Sequence, residues 1–349
     1  MKSLHYISQA HENVSTAQEK PSMDIEHILR SLNARNLGFV RTLTNNIKLK
    51  KYLNFLNSLL ALWRMPAEEI VILQYPSQSR IKQLYNRARA KGNKIILLVH
   101  DIDELRGCVG DHSGILTHIL SDADVVILHT EKMKEWYEEK FHPVNHPVVL
   151  GIFDYLLPEI AKENDHHHII DEKSENSGFK IVFAGNLRKS PFIYSLPEHD
   201  SVKFFLHGPG IDKMRLPEHV TYKGVASPDD IISQLRNYDF GLIWDGEIID
   251  GCSGAWGEYL QFNAPYKASS YLTSGIPLIV WDKMGLKDFV EDNKIGICVN
   301  SLDDIPERLS QMSSAEYAEM KENAHAISKK MRAGYFSTTA ITKAVDMLK

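Results

Sequence analysis

The chain has 349 residues, 43% of them apolar and 24% charged, a composition normal for a soluble globular protein and a length better filled by two domains than by one. Its net charge of −5 excludes broad nucleic-acid binding, which needs a basic footprint. Cys108, Cys252 and Cys298 are odd in number and form no CxxC pair, which reads most simply as a reduced, cytosolic protein.

Residues 1–20 carry Lys2, His5, His11, Glu12 and Glu19 and lack a long apolar run, so no secretory signal is expected. Short apolar runs at 38–43, 69–75, 94–100, 123–129 and 148–153 predict strands. Helical periods at 24–33, 48–65, 79–91 and 131–141 fall between most of them. Continuous apolar strands separated by helices predict a parallel sheet covered on both faces. The longest apolar stretch, Leu53 to Trp63, is interrupted by Asn54, Asn57 and Ser58 and is too short to span a bilayer. With Lys48, Lys50 and Lys51 ahead of it, it reads as a core-facing helix with a solvated basic start, in preference to a helix lying on a membrane surface.

Residues 161–177 are polar and charged and read as a linker. They include His166, His167 and His168, which on an extended chain point alternately and suit solvent better than a metal. A second alternating set at 179–184, 202–206, 220–222, 240–244, 277–281 and 296–299 predicts a second parallel sheet, and 314–349 is helical apart from a break at 332–336. The expected organisation is an N-terminal Rossmann-like domain over 1–160, the linker over 161–177 and a C-terminal Rossmann-like domain over 178–325. A helical segment over 326–349 would pack back on the first domain.

Nucleotide ligands of such sheets sit outside the carboxyl ends of the strands. No GxGxxG follows His5 to Ala10 and no GxxxxGK[ST] occurs, which removes the dinucleotide and P-loop signatures. The strand ends instead carry His100-Asp101, Gly185-Asn186, His207-Gly208 and Trp244-Asp245. Gly185 and Gly208 would let a ligand approach the backbone closely. Trp244 reads first as the end of a core strand and second as a platform for a sugar. The stretch 263–277 reads as a polar loop, a small-residue helix, a Gly275 stop and a Pro277-led strand. Lys267, near the start of that helix, would add its charge to helix N-terminal N–H groups on a diphosphate; a solvated lysine in an ordinary αβ unit is the plainer alternative.

The pieces Ile96-Leu97-Leu98-Val99-His100-Asp101, Phe183-Ala184-Gly185-Asn186-Leu187, Gly241-Leu242-Ile243-Trp244 and 263–277, with the late Gly334-Tyr335-Phe336, together resemble a family of bacterial GT-B glycosyltransferases. That family contains the glucosyltransferases that extend glycans on serine-rich adhesins and the β-1,6-galactofuranosyltransferases of polysaccharide clusters. The match runs in order over most of the chain and is weakest over 40–70 and the linker. The resemblance implies an α/β chain of GT-B fold, two Rossmann-like parallel-sheet domains facing a central crevice. It also implies a UDP-sugar donor in the C-terminal domain, no cofactor, no obligatory metal, and inversion at the anomeric carbon. The family's phosphate-binding lysine falls on Lys267. The basic residue after its Phe-Ala-Gly turn is usually arginine and falls on Lys189, with Arg188 adjacent. Its upstream tyrosine and asparagine match Tyr259 and Asn263. Related retaining enzymes carry two glutamates eight positions apart where Lys267 and Gly275 stand, which speaks against retention.

An inverting displacement needs a base for the acceptor hydroxyl, and Asp101 or His100 at a strand end could supply one, with Asp103 near. Asp101 serves a helix cap equally well. The sequence therefore reads as a metal-independent inverting glycosyltransferase moving glucose, galactose or galactofuranose from a UDP-sugar to a lipid- or protein-linked glycan. It would work in the cytoplasm, at the inner face of the membrane if the basic helix docks there, and self-association fits the resemblance. The alternatives are a catalytically silent GT-B glycan-binding module, or one that stabilises a partner, and a sugar-nucleotide epimerase.

Overall fold

The structure is a computed structural model that describes residues 2–8, 19–39, 47–76, 80–107, 113–157 and 178–349. It holds two compact units, Met1–Asp154 with Gly334–Lys349, and Tyr155–Ala333. The expected linker with His166 to His168, and Cys108, lie outside the described residues.

In the first unit six parallel strands lie in the order β2-β1-β3-β4-β5-β6. They are β1 (Leu4–Tyr6), β2 (Arg35–Asn36), β3 (Ile70–Tyr75), β4 (Lys94–Val99), β5 (Val125–Leu128) and β6 (Val148–Val149). Every residue of β3 is buried, as are Ile95–Val99 of β4, so both faces of the sheet are covered, as a parallel sheet requires. The strand expected over 38–43 is not there in its described part. Gly38 N and Phe39 N donate to the side chains of Asn36 (2.9 Å) and Asn57 (2.8 Å) and join no ladder. The edge strand is the shorter β2, and residues 40–43 lie outside the described set.

The helices of this part are α1 (Lys20–Ser31), α2 (Ile47–Arg64), α3 (Ile81–Ala90), α4 (Ser113–Asp122) and α5 (Glu131–Phe141). Helix α5 starts where Thr130 Oγ1 accepts from Met133 N, an N-cap with Glu131 in the first turn. Helix α2 corrects the expectation of a core-facing apolar side. Its buried positions are Asn57, Ser58 and Ala61, while Leu49, Tyr52, Phe55, Leu59 and Trp63 are exposed. The reason is specific hydrogen bonding. Besides accepting from Phe39 N, Asn57 donates through Nδ2 to Ser8 O at 2.8 Å, which turns the polar side of α2 inward.

The second unit has six parallel strands in the order β12-β11-β10-β7-β8-β9. They are β7 (Phe179–Ala184), β8 (Val202–His207), β9 (Val220–Gly224), β10 (Phe240–Ile243), β11 (Leu278–Trp281) and β12 (Gly296–Val299). Its helices are α6 (Pro228–Leu235), α7 (Gly254–Tyr259), α8 (Tyr266–Thr273), α9 (Lys287–Asp292), α10 (Asp304–Ser310) and α11 (Ser314–Arg332). Helix α11 opens on Ser313, whose Oγ accepts from Glu316 N at 3.1 Å, and closes on Lys329, Lys330 and Arg332, basic as a helix end favours. It packs along α8, where Ser328 Oγ and Arg332 both donate to Thr273 O.

The last helix, α12 (Tyr335–Asp346), belongs to the first unit. Its N-terminus is held by Asp154, which accepts from Ser337 N at 2.6 Å and Phe336 N at 3.2 Å. Asp154 is 2% exposed, and desolvation outweighs those two bonds, raising its carboxyl to about 6. A folded-state value above the unfolded one means that the folded chain binds the extra proton between about pH 4 and 6. This group's contribution to stability is therefore full at about pH 4 and lost as pH rises through 6. Asp154→Asn should flatten that slope relative to the parent in denaturant titrations from pH 4 to 7. Asp154→Ala, which deletes the acceptor, should cost about 1–2 kcal/mol.

Candidate active site

Helix α8 is fixed against the sheet by one aromatic residue. Tyr271 lies on β10, where a Cβ on Gly241 would fall 2.3 Å from its ring, and Ala184 N at the end of β7 donates to its hydroxyl at 2.7 Å. Lys267 stands one turn earlier on the same helix face. Its ammonium donates to Trp244 O at 3.2 Å and Asp245 Oδ2 at 3.0 Å, just beyond the end of β10, and sits 4.8 Å from the centre of the Phe183 ring of β7. An ammonium has three N–H bonds, so one donor of Lys267 is left over among the described residues. Pro265 occupies the N-cap of α8 and supplies no side-chain cap. Gly275 ends the helix at φ 75°, the left-handed conformation expected of that stop.

The loop before α8 carries the other two residues of the lysine segment. Tyr259 is buried at the end of α7. Asn263 donates its N–H to Tyr259 O at 3.2 Å, and its side-chain Oδ1 is buried with no hydrogen-bond partner among the described residues. A buried orphan acceptor is costly, so a ligand donor there would repair a real deficit.

The turn after β7 is built as a 3₁₀ segment, Leu187–Lys189, capped by Asn186, whose Oδ1 accepts from Arg188 N at 3.2 Å. Asn186, Arg188 and Lys189 are exposed. Lys189 Nζ rests 4.3 Å from the centre of the Trp256 ring on α7, a cation–π contact, whereas Arg188 has no side-chain partner among the described residues. At Gly185 a Cβ would make ordinary contact with the Phe183 ring at 3.7 Å, so a side chain there would not clash.

Two expected ligand residues are instead structural. A Cβ on Gly208, at φ 130°, would fall 1.8 Å from Gly185 O. The N–H of Gly208 goes to Gly224 O, and its carbonyl accepts from the Tyr222 hydroxyl. Its lack of a side chain serves the neighbouring strand end, not a ligand. Trp244 is fully buried, with its indole N–H donated to Ile248 O at 3.1 Å, so only its carbonyl reaches the site.

In the first unit, Asp101 follows β4 and pairs through Oδ2 with Arg106 at 3.0 Å, while Asp103 is 3.8 Å from the same guanidinium. The Asp101 side chain is 38% exposed. His100 is in a different situation. Its Nε2 lies 2.7 Å from Gln74 Oε1, and its ring stacks on Phe153 at 5.1 Å and 4°. Phe153 in turn meets His129 edge-on, and His129 Nε2 donates to Val99 O. Burial, helped by the neighbouring His129, pushes His100 down to about 3. His100 is half-buried, with Nε2 engaged by Gln74 and its ring stacked on Phe153, and its lowered basicity makes it a weaker proton acceptor at neutral pH than Asp101.

Trp256 was not singled out in the sequence, and Asp245, Gly241 and Tyr271, though present in its strand-end and motif stretches, were given no role there. Gly241 inside a strand was a usable signal of close approach, and Tyr271 follows Lys267 by four. Cys252, whose thiol burial pushes up to about 12, is held neutral. Among the described residues no three His, Cys, Asp or Glu side chains converge as metal ligands.

Two family models match the chain: the N-terminal domain of glucosyltransferase 3-like proteins over residues 5–152, and their C-terminal domain over 181–344. The β-1,6-galactofuranosyltransferase WbbI of Escherichia coli K12 is 30% identical, covering 99% of this chain and 98% of its own. The chain belongs to the glucosyltransferase 3-like family. Glucosyltransferase 3 of Streptococcus parasanguinis, at 22% identity, covers 79% of this chain and 78% of its own. Among solved structures, sucrose-phosphate synthase from Thermosynechococcus elongatus superposes with a TM-score of 0.60 at 13% identity, covering 100% and 99% of the two chains, which shows the fold alone. The fold is GT-B, and this glucosyltransferase 3-like chain is a hexosyltransferase. The two other readings of the sequence, a silent module and an epimerase, are set aside by that membership.

Proposed function

We propose that the enzyme moves a hexose from a UDP-sugar to a glycan acceptor by a metal-independent, inverting displacement. The observation that carries this reading is the Lys267 ammonium, fixed by Trp244 O and Asp245 with one donor to spare, on the helix whose preceding loop holds the orphan Asn263 Oδ1. As UDP departs, negative charge grows on its β-phosphate. Lys267, the uncapped start of α8 and the exposed Arg188 or Lys189 are the cations and dipoles available to meet it. Asn263 Oδ1 would accept from a donor sugar hydroxyl or the uracil N–H. In the first unit Asp101 would take the acceptor proton. Glucose, galactose and galactofuranose fit this scheme equally, because nothing in it reads ring size.

The test is a thermal-shift series in EDTA with UDP, GDP, CMP and NAD, followed by product analysis with an acceptor glycan. UDP at 100 times its dissociation constant should add about 2.7 kcal/mol of stability and raise the melting temperature. A shift with NAD and none with UDP would overturn the donor. Transfer that needs a divalent cation, or product with the donor's anomeric configuration, would overturn the mechanism.

A further inference from the structure

Helix α2 is inside-out. Its protein-facing side is Asn57, Ser58 and Ala61, and its outer side is a stripe of Leu49, Tyr52, Phe55, Leu59 and Trp63, spaced by three or four residues. Trp63 is 78% exposed and Tyr52 57%. Single exposed apolar residues need no explanation, but five on one helix face form a continuous strip about 20 Å long.

The charge around the strip is one-sided. Of the thirteen lysines and arginines in residues 27–100, Arg30, Arg89 and Lys94 pair with Glu26, Asp122 and Asp124 outside that span, so the one-sided charge is that of α2 and α3 themselves. Neither α2 nor α3, which packs beside it, carries an acid. Lys51 and Arg64 on α2, and Lys82 and Arg87 on α3, are exposed. The Arg80 guanidinium lies 4.5 Å from the Phe55 ring centre, a cation at the border of the strip.

We infer that this face docks on an anionic lipid surface, with the stripe at the level of the headgroup–acyl boundary and the basic side chains on the phosphates. An in-plane amphipathic helix needs this pairing of an apolar face with flanking cations. Among the described residues no helix is long and apolar enough to cross a membrane, so α2 would lie in the surface plane. A second copy of the chain fits less well. A two-fold interface sets a patch against itself, and here it would oppose two acid-free basic surfaces. The inference does not depend on the donor proposed above, and its test uses no sugar nucleotide.

The experiment is flotation of the whole protein with vesicles of phosphatidylcholine alone and of equimolar phosphatidylcholine and phosphatidylglycerol. The protein should float with the anionic vesicles only and be released by salt. Leu59→Ser with Trp63→Ser, and separately Lys51→Glu with Arg64→Glu, should each cut partitioning roughly tenfold or more. These side chains are exposed, so the melting temperature should hold. Brominated lipid should quench part of the tryptophan emission of the parent, and Trp63→Phe should remove that part. Failure to bind anionic vesicles, or equal binding by the variants, overturns the inference. A parent dimer that Leu59→Ser with Trp63→Ser converts to monomer, with no lipid binding, assigns the strip to a second copy.

Discussion

Lys267→Ala is expected to weaken UDP binding about 10- to 150-fold, the equivalent of one charge-assisted hydrogen bond worth roughly 1.5–3 kcal/mol. The loss in turnover should be larger, because charge on the leaving oxygen peaks in the transition state. Asp245 adds a second effect. With its cation deleted, that carboxylate stands unpaired, 21% exposed, beside the place assigned to the diphosphate, and repels it. The double variant Lys267→Ala with Asp245→Asn should therefore bind UDP several-fold better than Lys267→Ala alone, a coupling that a mutant cycle reads directly. Lys267→Arg should restore only part, since a planar fork cannot hold Trp244 O and Asp245 Oδ2 from the same position. Calorimetric titration of UDP into the three variants, with turnover measured alongside, decides the point. Unchanged affinity and turnover in the alanine variant would place the donor site elsewhere.

The parts of this arrangement that were legible in the sequence are those set by local chemistry. The apolar runs of β3 and β4 could only be buried strands, and the small-residue helix with Lys267, Gly275 and Pro277 is α8 with its left-handed stop. What escaped was tertiary. Nothing local says that Asp245 will meet a lysine 22 residues later, or that Gly208 is there for the Gly185 carbonyl. In the described part of the strand expected over 38–43, Gly38 and Phe39, two asparagine side chains take the N–H groups that a ladder would use. Helix α2 misled because its leucines and aromatics have a helical period whichever way the helix faces. The tell was Asn57 and Ser58 together on one side, polar residues whose burial depends on partners that composition cannot reveal. His100 and Asp101 were equivalent as strand-end candidates, and both are half-buried; what separates them is their partners, Gln74 and the Phe153 ring for the histidine, Arg106 for the carboxylate.

That separation makes Asp101→Asn the decisive variant for the proposed base. Asn keeps the size of the side chain and an acceptor oxygen for Arg106, so the local fold should stand, but it cannot take a proton. Turnover should fall roughly 10²- to 10⁴-fold while UDP affinity stays within about twofold, since Asp101 belongs to the first unit and the residues proposed to hold the donor belong to the second. Asp103→Asn serves as the control: it lies 3.8 Å from the same Arg106 and should cost little, because the pair it makes is long and half exposed. His100→Gln gives a different signature, loss of melting temperature through the ring cluster with turnover per folded molecule retained. If Asp101→Asn keeps near-normal turnover and Asp103→Asn does not, the proton goes to Asp103 and Asp101 is a helper that positions Arg106. If both keep it, the base lies outside the β4 turn altogether.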